Sequence, residues 1–583
     1  MSTPPRSKKR RRSPRFILTA ALAAALGAVG CSDRTGSGVD GVSEWTMLGH
    51  DHRSTYANPA ETRLSPGNVH ELGELWRFEA RGQVYGTPVV VDGVVYVTST
   101  GGIYAFDGDD GTILWQHLDF GATSSLAYAD GTIFVHDFGA ILHALEATTG
   151  EEKWRTKTDV HPLATGLSSP IVFERYVEVG ISSNEIVREN ATFRGGVAAF
   201  DKDTGQPLWR NYTADPPANG ASVWSTISID TDARMVFAGS GQNYTGIPGP
   251  DSDAILALDL DTGARLWTRQ TVAGDVFTPI NPRGADADFG ANPILFEAGG
   301  RKLVGAGQKN GMFWALDRRT GDVVWSRKLG PGSPLTGGVL NNGAFDGERI
   351  LVANNGGGNG VLFALDPGTG DVLWERALPG WVWAPITVAN GVGIVASDTD
   401  LHAFDPATGA GLFVFPTTGT IACGASIANG RVHFGSGLQH LVGTVDRKLY
   451  VLALPGDGGG GGPQPTPQPS GDATFTAVYD EIIVGEGCTT PLCHGGGAGA
   501  GGLTLTSREG AYAALVDTPA AGELCGASGL LRVRPGDPEA SLLWSKVATR
   551  SPLCGQPMPI ATMLDAAQVD QILRWIERGA PND

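Results

Sequence analysis

The chain has 583 residues, 41% of them hydrophobic, enough to bury a large core and build at least one further domain. Its 84 Gly and 36 Pro, with no apolar run long enough to cross a bilayer, favour short strands and turns over long helices. A formal net charge of −18 excludes a nucleic-acid partner, because binding the phosphate backbone needs clustered positive charge that the body of the chain lacks.

The positive cluster lies at the start: Lys8, Lys9, Arg10, Arg11, Arg12 and Arg15, then the apolar stretch Phe16 to Gly30 and Cys31. A basic segment, an apolar run too short to span, and small residues before a cut site predict an export signal over residues 1–30. Ala28-Val29-Gly30-Cys31 resembles the bacterial lipobox, which implies cleavage before Cys31 and lipidation of that cysteine; simple cleavage is the alternative. A lipid on Cys31 would hold the exported protein, periplasmic or on the cell surface, to a bacterial membrane, the outer one by expectation, with residues 31–44 as a flexible tether.

A repeat follows. The phrase Ala-Phe/Leu-Asp/Glu-x-x-x-Gly-x-x-x-Trp starts at Ala105, Ala144, Ala199, Ala257, Ala315 and Ala364, and ends at Trp115, Trp154, Trp209, Trp267, Trp325 and Trp374. A degenerate copy runs from Ala403 to Phe413. Each copy reads as a strand, a tight turn and a second strand whose Trp fills space between neighbouring sheets. Alternating stretches such as Thr87 to Val97, with Asp92-Gly93 at a hairpin turn, precede most copies, making four strands per unit. With Trp76 as an earlier closing position there are eight units, the last completed by strands from both ends, including residues 431–454. The prediction is an all-β eight-bladed propeller over residues 45–454, its repeat tryptophans serving packing and no chemistry.

Segments outside the repeat carry a more specific signal: Asp159 to Pro170, Gly180-Ile-Ser-Ser-Asn-Glu185, Thr192-Phe-Arg-Gly195, Val223-Trp-Ser225, Gly241-Gln-Asn-Tyr244, Asp288-Phe-Gly-Ala-Asn-Pro293 and Gly307-Gln-Lys-Asn-Gly311. In order and spacing they resemble the polyvinyl alcohol dehydrogenase branch of the pyrroloquinoline quinone (PQQ) alcohol dehydrogenases. The blades alone also resemble the non-enzymatic lipoprotein propeller of the outer-membrane assembly machinery, so the site must separate the two.

The quinoprotein resemblance implies PQQ, Ca²⁺ and an alcohol substrate, secondary or polymeric. Such chemistry needs a cation to polarise the quinone, a base for the hydroxyl proton and a flat floor beneath the ring. By the resemblance Glu185 is the carboxylate ligand to calcium, and Gln242 or Asn243 stands where the family has an Asn. Trp224 is the floor, Lys309 contacts the quinone oxygens, and Arg194 contacts a PQQ carboxylate. The family places its base after Asp-x-Trp; here Asp275-Val-Phe is followed by Thr278, and the matching stretch lies after an insertion, at Asp286-Ala-Asp288. Asp286 is then the base and Asp288 its neighbour, with the roles open to exchange. The cysteine pair common near the family's cofactor is missing, since Cys423 is the only cysteine of residues 45–454.

Residues 455–472 are a Gly/Pro-rich linker with nothing to bury. The region 473–583 resembles small, mainly α, cytochrome c-like modules of secreted bacterial proteins. Cys488-Thr-Thr-Pro-Leu-Cys493-His494 is a Cys-x4-Cys-His arrangement, two residues longer than the usual haem attachment. The resemblance implies haem c joined to Cys488 and Cys493, with His494 and Met558 (or Met563) as iron ligands, leaving Cys525 and Cys554 to form a disulfide. A haem-free domain with two disulfides, or a zinc site, stays open. Together these readings describe a quinohaemoprotein passing electrons from PQQ to its own haem and on to an external acceptor such as a soluble cytochrome or quinone. The alternative is a cofactor-free lipoprotein scaffold.

Overall fold

The computed structural model describes residues 43–583 except 188–189, 246–247, 333–336, 357, 438–445, 458–472, 490–492, 496–499, 523, 550, 560–563 and 565. The expected export signal, Cys31, most of the linker and Met563 lie outside the described residues.

Eight antiparallel sheets of at least four strands follow one another between residues 73 and 453, and the third carries an extra strand, Ala164–Thr165. The last is built from both ends of the ring: Gly73–Glu79 pairs with Lys448–Ala453, Trp76 opposite Val451. This closure, predicted from Trp76, covers the edges that an open ring would leave exposed. The hairpin joining Val89–Val91 to Val94–Ser99 turns at Asp92 and Gly93, both with positive φ (50° and 78°), the twist a two-residue connection requires.

The repeat has a single physical purpose. The indole N–H of Trp115 donates to the Ala147 carbonyl of the next blade at 2.7 Å, Trp209 to Leu260 at 2.8 Å and Trp267 to Arg318 at 2.9 Å. Each ring lies on the glycine of that blade's Asp/Glu-x-x-x-Gly turn. At Gly263 φ is +67°, and a Cβ would come within 2.3 Å of Trp209 Cε3. Turn and tryptophan are thus two halves of one contact between blades.

Residues 43–58 make a circuit of the ring. Trp45 O accepts from Val90 N (2.8 Å), Thr46 O from Tyr128 N (2.8 Å), His52 O from Ile229 N (2.7 Å), Arg53 O from Leu295 N (2.9 Å), Thr55 O from Phe345 N (2.8 Å) and Tyr56 O from Val388 N (2.9 Å). His52 Nε2 also meets Val172 O at 2.8 Å, and Asn58 Nδ2 donates to Ile427 O at 2.7 Å. Every sheet's first strand is therefore tied to this one segment, close to the turns that lead into the second strands. The loops of the candidate site emerge at the other end.

Beyond the ring, helical segments Phe475–Ala477, Val478–Val484, Arg508–Leu515, Leu542–Ala548 and Ala566–Glu577 form a small unit around Phe475, Tyr479, Trp575 and Ile576. A disulfide joins Cys525 to Cys554 with Cα atoms 5.6 Å apart. No helix among the described residues is long and apolar enough to cross a membrane.

Candidate functional site

Three neighbouring blades, the third to the fifth, supply the site loops. Glu185 follows Tyr176–Ser183, Gln242 follows Met235–Gly239 and Lys309 follows Arg301–Gly307. Trp224 precedes Ser228–Asp230, while Asp286 and Asp288 precede Ile294–Ala298.

The structure brings four of these side chains together. Lys309 Nζ lies 3.0 Å from Asp286 Oδ1 and 3.0 Å from Asp288 Oδ2, and 5.5 Å from the centre of the Trp224 ring. Trp224 Nε1 donates to Asp288 Oδ2 at 3.2 Å, and the Gln242 backbone N–H to Asp288 Oδ1 at 2.9 Å. Burial alone would push the Lys309 ammonium toward its neutral form, but Asp288 and Asp286 outweigh it and hold its pKa above the ordinary 10.5. The site therefore keeps a fixed positive charge beside an aromatic plane.

Its support is local and specific. Asp275 accepts from Phe277 N and Ala287 N, each at 2.9 Å, closing the insertion between them into a loop that presents Asp286, at φ 48°. Gln308 Nε2 donates to the Ala287 carbonyl at 2.6 Å, between the two acids. Asn292 joins three segments: its Oδ1 accepts from Thr226 N (2.8 Å), its Nδ2 donates to the Tyr56 hydroxyl (2.7 Å), and its own N–H donates to Asn342 Oδ1 (2.7 Å). Gly290 has no side chain because a Cβ would sit 2.3 Å from Trp224 Cη2 and 2.5 Å from Leu340 Cδ1. The floor and the acids are thus mutually positioned.

Glu185 is buried nearby. Its Oε2 accepts the backbone N–H of Thr192 (2.6 Å) and of Phe193, and its Oε1 lies 3.6 Å from His161 Nε2. Tyr244, bonded to Ser222 at 2.6 Å, is pushed up mainly by burial, with Asp288 and Glu185 both adding to the shift. Gln242 Nε2 donates to Phe277 O at 2.9 Å, which fixes its amide. Asn243 is different: its oxygen accepts from Gly249 N (2.8 Å) and its nitrogen donates to Asn219 O (2.6 Å). Asn243 braces a loop, which narrows the expected amide donor to Gln242. Arg194 packs over Tyr212, 3.8 Å from its ring centre, and no described contact joins it to the Lys309 group.

Sequence reasoning missed several residues. Asp253 is fully buried, and neither carboxyl oxygen has a hydrogen-bond partner. Burial first, then Asp288, Asp275 and Asp286, drive its pKa well above the carboxylate range, making it a neutral acid behind the site. Trp381 and Trp383, rings 5.2 Å apart, stand outside the repeat register, a signal that was available. Asn355 grips Val382 between them through two hydrogen bonds (2.8 and 3.0 Å), and its N–H donates to Gly338 O, beside the Lys309 carbonyl.

An anionic planar quinone such as PQQ suits this donor set, with Trp224 as a floor and Lys309 as a cation. Glu185 and the Gln242 amide oxygen are hard donors appropriate to Ca²⁺. The described residues contain no cluster of three acidic, His or Cys side chains, so a cation there needs further oxygens from the cofactor.

In the C-terminal unit His494 N–H donates to Cys488 O at 3.0 Å, and His494 Nδ1 lies 3.2 Å from Leu503 O, a contact that orients the ring. The half-buried Cys488 thiol is pushed up, first by burial and then by Cys493. Met558, half-buried, donates its N–H to Lys546 O at 2.8 Å; no described contact joins it to His494.

Residues 161–331 match the family model described as the glucose/ethanol/alcohol dehydrogenase β-propeller domain (PQQ), while residues 67–125 and 309–451 match that of the outer membrane protein assembly factor BamB. The chain is 31% identical over 330 residues to a polyvinylalcohol dehydrogenase of Sphingopyxis sp. (strain 113P3), covering 49% of this chain and 50% of that one. It is 26% identical over 343 residues to the quinohemoprotein alcohol dehydrogenase of Comamonas testosteroni, covering 49% and 47%. The crystal structure of quinohemoprotein alcohol dehydrogenase from Comamonas testosteroni matches in fold, with a TM-score of 0.60 at 19% identity over 84% of this chain and 93% of that one. The chain spans about half the length of the curated relatives it matches. Glu185, Trp224, Gln242, Asp286, Asp288 and Lys309 all fall inside the dehydrogenase match. The part of the propeller that carries the candidate site is therefore similar to the PQQ-dependent alcohol dehydrogenases.

Proposed function

We propose that this protein is a PQQ- and Ca²⁺-dependent dehydrogenase that oxidises an alcohol, secondary or polymeric, and passes the electrons to haem c in its own C-terminal unit. The observation that carries the reading is the Lys309 ammonium held 3.0 Å from both Asp286 and Asp288 beside Trp224. A scaffold has no physical need for a buried cation shared by two acids beside an aromatic plane.

PQQ, when bound, accepts the hydride from the alcohol carbon. The protein binds, orients and moves a proton. Trp224 provides the flat surface, and Lys309 supplies positive charge where negative charge develops on the ring oxygens. Asp288 receives hydrogen bonds from Trp224, Gln242 and Lys309, which suits an orienting group; Asp286, sharing the same ammonium, takes the hydroxyl proton on its carboxylate. Glu185 and Gln242 would hold the calcium. Cys488 and Cys493 would carry the haem, with His494 and Met558 on its iron. Export and anchoring through Cys31 complete the proposal, placing the enzyme where an external electron acceptor can reach it.

Titrating PQQ into the mature apo-protein with Ca²⁺ tests this reading through tryptophan fluorescence. Saturable quenching that weakens in Trp224→Leu, together with dye-coupled oxidation of a secondary alcohol or polyvinyl alcohol, is expected. Folded protein that neither quenches nor turns over would leave the scaffold as the better account.

A further inference from the structure

The C-terminal unit touches the propeller on the face that bears the site loops. Arg81 lies between Gly73–Glu79 and Val89–Val91, where the chain crosses from the closing blade to the first. Its N–H donates to the Tyr104 hydroxyl at 2.9 Å and its carbonyl accepts from Ser99 Oγ at 2.9 Å, so its backbone is fixed. The guanidinium donates to Leu118 O at 3.3 Å, pairs with the Asp480 carboxylate, and lies 5.5 Å from the centre of the Tyr479 ring.

Two further contacts flank this pair. A Cβ on Gly101 would sit 2.5 Å from Val484 Cγ1, so the helical segment lies directly on the propeller backbone. Arg447, paired with Glu79 at 2.8 Å, lies within 2.6 Å of where a Gly485 Cβ would be.

The docked segment, Val478–Val484, leads straight into the cysteine–histidine motif. Gly487 N–H donates to Val484 O and Cys488 N–H to Ile483 O, each at 2.9 Å. A shift of this segment on the propeller is therefore passed to Cys488 and His494. Residues 455–472, rich in Gly and Pro, offer no large apolar side chain to bury, so the pose falls to the contacts of Arg81, Gly101 and Arg447. Burial raises the Asp480 pKa even though Arg81 opposes it, so partial burial works against the pair's attraction. Such a pair selects an orientation more than it adds affinity.

We propose that Arg81 is a positioning residue: its pairing with Asp480 holds the haem-bearing motif of the C-terminal unit in the one pose that receives electrons from the reduced cofactor on the propeller. This rests on the dehydrogenase reading above. Each alcohol oxidised releases two electrons and two protons. The electrons leave one at a time, each reducing one ferric haem to ferrous, and an external one-electron oxidant such as ferricyanide returns the haem to ferric between transfers.

The test uses the full mature chain with haem attached, PQQ and Ca²⁺ present, as the parent and as Arg81→Glu, Asp480→Arg and the double exchange. Stopped-flow absorbance follows haem reduction by the alcohol, while a phenazine dye that takes electrons directly from the quinol reports the propeller alone. Arg81→Glu is expected to slow haem reduction by about tenfold or more, as the local concentration of the docked pose falls. Dye turnover should stay within about twofold of the parent, and the double exchange should recover most of the haem rate. Small-angle scattering of the apo-protein should show a larger radius of gyration for Arg81→Glu and recovery in the exchange. Unchanged haem reduction or unchanged scattering in Arg81→Glu would overturn the positioning role. A parent protein with no haem band or no alcohol-dependent turnover would instead overturn the dehydrogenase reading, and this proposal with it.

Discussion

Lys309, Asp286 and Asp288 form a buried ion cluster whose parts depend on one another. Replacing Lys309 by Met leaves two carboxylates facing each other without their cation, and removing one partner of a buried pair costs about 3–5 kcal/mol. Urea unfolding should show a loss of that order, and PQQ-dependent quenching should disappear; unchanged unfolding would mean the ammonium is not where the site needs it. Asp253 makes the opposite case. Because its carboxyl is neutral and without a hydrogen-bond partner, Asp253→Asn keeps both shape and charge, and turnover at neutral pH should stay within a few-fold of the parent. A large loss would show that Asp253 acts as a charged group. Trp224, Asp286, Asp288 and Lys309 were legible because each stands in a segment that breaks the repeat. Asp253 was not, since nothing in Ser-Asp-Ala signals that its carboxyl is buried alone, and the division of labour between Gln242 and Asn243 depends on which carbonyls their amides meet.

At the scale of a blade, the repeat is an interlocking of a turn with a ring. Gly263→Ala should destabilise the ring by about 1–3 kcal/mol, combining a side chain at positive φ with a clash against Trp209. Thermal unfolding should show it, whereas the same change at Gly73, where a Cβ meets nothing within 4 Å, should be nearly silent. The strand count, the turns and the closing role of Trp76 could all be read from the spacing of Asp, Gly and Trp. The circuit made by residues 43–58 could not, because it forms through backbone hydrogen bonds, and backbone groups leave no mark in composition. Its link to the site runs through Tyr56 and Asn292, and the motif containing Asn292 was visible without any hint of its partner.

At the scale of the molecule, buried histidines set an acid limit. Burial lowers His136 to about 4 and His433 to about 3, so both stay neutral in the folded protein while the unfolded chain takes up protons near 6.5. Their effect is absent above pH 6.5, and stability falls as the pH drops from there toward 4; His136 alone accounts for about 3 kcal/mol. Melting temperature against pH should decline over that window, and His136→Gln should flatten the slope; an unchanged slope would place the acid sensitivity elsewhere. The ring also carries a second unit beside its site loops, an arrangement that the proposed release of two electrons to a one-electron carrier would use.

The most direct measurement is the absorption spectrum of the mature protein, produced where haem c can be attached, supplied with PQQ and Ca²⁺ and then with a secondary alcohol. A covalent haem band that is reduced only when the alcohol and PQQ are both present is the predicted result. A folded protein with no haem band and no alcohol-dependent change would contradict the account.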